Sequence, residues 1–133
     1  MLYSGHFSFD ELGTDQEQRH GYFTCLVDAD NAPEALKKFK KRIGELRSDE
    51  SNDFFSAVQA VYLEDLIEIS TPPRKAVITR FQSSRGEFPK SRTYSFPASE
   101  TSHLQAFQWR PDDAANIVDD EGFQESKPFL NFA

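Results

Sequence analysis

Residues 21–47, GYFTCLVDADNAPEALKKFKKRIGELR, decide the fold. Over residues 22–29 the two-residue period of a strand puts Phe23, Cys25, Val27 and Ala29 on one side. Tyr22, Thr24 and Leu26 take the other side, which is also largely apolar. A strand apolar on both sides sits more often inside a sheet than at its edge, so the pattern predicts a central strand. Asp28 and Asp30 end the run. Asn31 then offers an N-cap, with Glu34 three residues on, the spacing of a capping box with Asn in place of Ser or Thr. Pro33 falls in the first turn, where a missing N–H costs little. Ala35, Leu36, Phe39, Ile43 and Leu46 recur at three and four residues and make one apolar stripe of a helix. Lys37, Lys38, Lys40, Lys41 and Arg42 cover much of the remainder. Burying the stripe contributes about 1.5–3 kcal/mol for each large side chain. Gly44 weakens the helix by about 1 kcal/mol relative to Ala and leaves its end undefined.

Outward from this unit, residues 2–10, LYSGHFSFD, alternate as a first strand. Tyr3, Gly5, Phe7 and Phe9 share one face, and Ser4, His6 and Ser8 share the other. The polar segment 11–20 is too long for a two-residue turn, so the first two strands form an antiparallel hairpin with an exposed loop. Past the helix, Val61, Leu63, Ile67 and Ile69 alternate, with a break at Glu64, Asp65 and Leu66. Residues 60–69 read as a strand with a bulge; the competing reading is a helix from Phe54 through Val58 and Tyr62, and a third makes only 54–58 a helical turn. Pro72 and Pro73 make a turn. Three further strands are predicted at 76–82, 92–98 and 103–109. The expected fold class is α+β, a mainly antiparallel sheet of about five to six strands with one principal amphipathic helix packed on one face. Its expected order is β-β-α-β-β-β-β, in a single domain over 1–133 whose residues 111–133 are acidic and partly irregular. Strands on either side of the helix can lie parallel through a crossover.

The 133 residues are the size of one ordinary domain, and thirteen Phe supply ample core volume. A formal charge of −7 and a pI near 4.9 disfavour general binding to DNA or acidic membranes. The single Cys25 leaves no partner for an internal disulfide and reads as a buried thiol. The first residues lack a basic run followed by an apolar one, and no apolar run approaches the roughly 18–20 residues that span a bilayer. The expectation is a cytosolic chain with no membrane partner.

Charge is unevenly spread. Residues 71–110 carry seven basic and two acidic side chains, and residues 111–133 one basic and six acidic. Metal and catalytic signatures are missing: there is no CxxC, HExxH, GxSxG or glycine-rich phosphate loop. No cofactor, metal or catalytic residue is therefore predicted. Asp28, Asp30 and Asn31 resemble the start of a calcium loop. Pro33 stands where glycine is required and Phe39 where the loop ends in Glu, so a helix cap explains them better.

Three functions remain in view. The first is a non-enzymatic protein-interaction or regulatory module that binds a protein partner or itself, with Phe129, Leu130 and Phe132 as an interaction segment. The second is nucleic-acid or nucleotide binding through Lys37, Lys41 and Arg42 of the helix, or through Arg80 and Arg92 of a basic hairpin over 75–96. In that hairpin cations interleave with Phe81, Phe88, Tyr94 and Phe96, a combination suited to stacking on single strands. The third is a small enzyme with a site near His20 and Asp28. The acidic composition and the missing catalytic signatures favour the first.

Overall fold

The computed structural model describes residues 1–51, 54–87, 103–104 and 129–133. The chain divides into two units, Met1–Phe81 and Gln82–Ala133, and the architecture below belongs to the first. It comprises β1 (Leu2–Leu12), β2 (Gln18–Asp28), α1 (Ala32–Ser48) and β3 (Val58–Ile69). The strands form one antiparallel sheet in the order β2-β1-β3. β2 and β3 therefore run parallel to each other on either side of β1, and α1 carries the chain across between them.

Two expectations about the sheet are corrected. β1, not β2, is the central strand. Apolar residues on both faces of β2 do not report which strands flank it: Phe23, Cys25 and Val27 pack on the core, while Tyr22 and Leu26 are exposed on the other face. Flanking is decided by the connections: a short hairpin sets β2 beside one edge of β1, and the helical crossover brings β3 to the other. Within the described residues the sheet has three strands, and of the further strands expected only the one at 76–82 lies wholly among them. Residues 76–82 alternate as a strand does but pair with no ladder, and Val77, Ile78 and Phe81 are exposed. Alternation supplies a face but no backbone pairing, and this segment adds to neither outer strand of the sheet. The segment expected at 92–98 lies outside the described residues, as does all but 103–104 of the one expected at 103–109. The hairpin strands run further than expected, leaving residues 13–17 as the loop, with Gln16 in the left-handed region at φ 63°.

The helix begins as its sequence dictates. Asn31 Oδ1 accepts from the Glu34 N–H at 2.9 Å, and Glu34 Oε2 accepts from the Asp30 N–H at 3.1 Å. The second arm of the capping box thus reaches one residue further back than the N-cap itself. That N–H, with Lys38, holds the Glu34 carboxyl below its usual range. The helix passes through Gly44 and ends at Ser48. Beyond it, the Asp49 carboxylate accepts from the Ser51 hydroxyl and N–H, which hold it below the usual carboxylate range. Arg47 Nε donates to the Val58 carbonyl at 2.7 Å and ties the last turn to the start of β3.

The core lies between α1 and one face of the sheet. Tyr3, Phe7, Ala29, Ala35 and Phe39 are buried, and Phe23, Cys25, Val27, Leu36, Ile43, Val61 and Leu66 pack against them. Rings carry most of the contact. Phe7 stacks on Phe23 at 5.1 Å between centroids, Phe39 meets Phe7 edge-on at 5.5 Å, and Phe55 meets Phe23 edge-on at 5.2 Å. Gly5 allows the helix to come this close. A Cβ there would lie 2.9 Å from the Phe39 ring and 2.7 Å from the Phe7 ring.

β3 contains the expected bulge. His6 pairs with Asp65 and Phe7 with Leu63, so Glu64 is the extra residue. The consequence is a change of side. Leu63 faces the helix with Phe7, while Asp65 stays with Ile67 on the other face. The break read in the sequence at Glu64–Leu66 is this bulge.

Candidate functional site

The face of the sheet turned away from α1 is the feature that the core does not explain. Down its middle, β1 presents Ser4, His6, Ser8 and Asp10, all half-buried. β2 adds His20, Tyr22, Thr24 and Leu26, and β3 adds Ala60, Tyr62, Asp65 and Ile67. Register aligns these in rows: Tyr22, Ser8 and Tyr62 stand abreast, as do Leu26, Ser4 and Ile67. In these two rows a serine of β1 thus lies between larger residues of β2 and β3. Tyr22 and Leu26 are each 49% exposed and Tyr62 is 53% exposed.

Hydrogen bonds hold this trough in shape. His20 Nδ1 lies 2.6 Å from Asp10 Oδ1. A carboxylate only accepts, so Nδ1 carries the proton in this contact. Tyr62 Oη donates to the other Asp10 oxygen at 3.3 Å. The His6 ring stacks on Tyr22 with centroids 5.5 Å apart, and its Nδ1 meets Thr24 Oγ1 at 3.0 Å. Ser8 Oγ donates to Glu64 Oε1 at 2.5 Å. At the β3 border Arg80 Nη1 donates to Asp65 Oδ2 at 2.9 Å, and its Nη2 lies 3.9 Å from Glu64 Oε2.

Ser8, Asp10 and His20 share this face, a set that invites a catalytic reading. Their geometry does not follow it. The Ser8 hydroxyl is turned to Glu64, and the His20 side chain is 73% exposed on an edge strand with nothing to exclude water. His20 and Asp28 do not share a site: they pair with opposite ends of β1, eight residues or about 26 Å apart along β2. Asp28 instead accepts from the Met1 ammonium at 2.7 Å, and that charge holds its carboxyl below the usual range. Among the described residues no three His, Cys, Asp or Glu side chains converge as metal ligands would.

The cations named from the sequence are separated. Lys37 and Lys41 are exposed on the outer side of α1, and Arg42 pairs with Glu45. Arg80 reaches its carboxylates on the opposite side of the sheet, and Arg92 lies outside the described residues. Phe129, Leu130 and Phe132 are exposed in the second unit. The trough itself was not legible one strand at a time. The polar face of β1 and the outward Tyr22 and Leu26 are visible in sequence, but only the pairing register sets two tyrosines on either side of one serine.

Comparison with protein-family models, curated proteins and solved structures finds no match to the chain. Among the described residues no helix is long and apolar enough to cross a membrane.

Proposed function

We propose that this chain is a non-enzymatic interaction module that pairs with a second copy of itself through the open face of its sheet. The observation that carries this reading is the trough, in which Tyr22, Leu26 and Tyr62, about half exposed, stand beside the polar row Ser4, His6, Ser8 and Asp10. Two such faces are complementary when one is turned over the other. The Tyr22 and Tyr62 rings of one copy then fill the space above Ser4 and Ser8 of the next, at the roughly 10 Å spacing of packed sheets. A two-fold arrangement of this kind is closed and uses one patch twice. Tyrosine suits the role because its ring is apolar and its hydroxyl still finds polar partners on the floor. Asp10 with His20, and Ser8 with Glu64, already satisfy one another, so covering them strands few polar groups.

Sedimentation equilibrium from micromolar to near-millimolar concentration tests the proposal. The expected result is a concentration-dependent dimer that strengthens with added salt, because each copy carries the same net negative charge. Tyr22→Glu combined with Tyr62→Glu abolishes it and leaves the thermal transition of the monomer in place. A chain that stays monomeric throughout, or a dimer indifferent to both substitutions, overturns the reading.

A further inference from the structure

A second surface, on the other side of the sheet and independent of the first, has the make-up of a ligand site. Between α1 and β3 runs an open slot of about 640 Å³. Phe7, Phe39, Phe55, Val61 and Leu63 are among its apolar walls, and Lys40 and Arg47 stand at its border. The slot exists because the helix does not cover β3 fully. Leu63 points to the helix side of the sheet and is still 45% exposed. The helix also has a gap here: Gly44 borders the slot, and a Cβ built on it meets nothing within 4 Å. Small-molecule sites have this size and composition, mostly apolar with a few placed polar groups.

Shape and charge narrow the ligand. The helical wall runs from Leu36 to Arg47, about 16 Å at the rise of a helix, so the slot is long. Both charged groups on its border are cations, in a protein whose net charge is −7. Arg47 is anchored through Nε to the Val58 carbonyl, which fixes its guanidinium near one end. Lys40 makes no ion pair among the described residues and is exposed. We infer that the slot between α1 and β3 binds an unbranched aliphatic carboxylate, its chain lying along Phe39, Val61 and Leu63 and its head group on Lys40 and Arg47.

Titration calorimetry on the full chain with dodecanoate, below its micelle concentration, tests this. Dodecanoate binds, and decanoate binds about tenfold more weakly, since each methylene left unburied lowers affinity up to about fourfold. Dodecyltrimethylammonium, with the same tail and the opposite charge, binds about tenfold more weakly still at low salt, and the gap narrows as salt is added. Lys40→Glu weakens dodecanoate several-fold. Gly44→Leu closes the slot from the helix side and abolishes binding, with a melting temperature at or above that of the parent because leucine is the better helix former. Failure to bind dodecanoate, equal binding of the cationic tail, or undiminished binding in a folded Gly44→Leu chain each overturns the inference. None of these outcomes bears on the dimer face, which a concentration series without ligand reads separately.

Discussion

The two faces of the one sheet carry the same backbone and opposite surfaces. On the helix side, β1 contributes Tyr3, Gly5, Phe7 and Phe9; Phe23 stacks beside Phe7, the Phe39 ring meets Phe7 edge-on, and Phe55 meets Phe23. On the other side, β1 contributes Ser4, His6, Ser8 and Asp10, and the large residues stand on the flanking strands, half in solvent. The first face shows how a single helix makes a core: a glycine in the central strand lets one fully buried ring descend between its neighbours. The second shows a surface finished in detail, with hydrogen-bonded floor and aromatic walls, and no layer of this unit on top of it. A covered face is judged by what its loss does to folding. An open face is judged by what its loss does to association.

Phe39→Ala should give the largest effect, about 3–5 kcal/mol of lost stability by denaturant titration, because the ring is fully buried and shared between helix and sheet. A loss below about 1 kcal/mol would place the core elsewhere. Gly5→Ala comes next, at about 1–3 kcal/mol, since the added methyl meets the Phe7 and Phe39 rings and neither can retreat from a packed core. A neutral Gly5→Ala would mean that the helix sits further from β1.

The third test is a pH dependence. Tyr3 Oη donates to Glu68 Oε1 at 2.6 Å, and this bond to a carboxylate pushes the phenol up from 10.0 to about 12. A raised folded value means that the stabilisation is complete below pH 10 and is lost as pH rises towards 12. Absorbance titration should show one late tyrosine, and Tyr3→Phe should flatten stability over that window. A Tyr3 that ionises with the exposed tyrosines would detach it from the covered face. The smallest effect is expected from Tyr22→Ser on the open side. The monomer should lose about 1 kcal/mol or less with the His6 stack, while the dimer is lost. A large loss in the monomer would show that this face, too, is core.

Much of the covered face was legible from local rules. The cap at Asn31, the stripe through Phe39 and the irregularity at Glu64 each follow from spacing within a dozen residues, and the structure contains all three. Residues 76–82 form no strand although Val77, Thr79 and Phe81 alternate, because alternation is a local pattern, whereas a strand also requires backbone pairing with another segment. The candidate site was harder still. His20 and Asp28 were grouped because they lie close in sequence. In extended backbone that closeness becomes distance, while Asp10, ten residues from His20, becomes its partner across the hairpin.

The amino-acid order by itself determined the periods: where the chain extends, where it coils, and which side chains of each element share a side. These rest on sterics and hydrogen bonds between near neighbours, and they need no knowledge of the rest of the molecule. Tertiary structure alone decided that β1 lies in the middle, that Tyr22 and Tyr62 flank Ser8, and that the helix leaves a slot beside Leu63. Those facts depend on which edges meet and how far one helix reaches across three strands, and such contacts join residues that are dozens of positions apart.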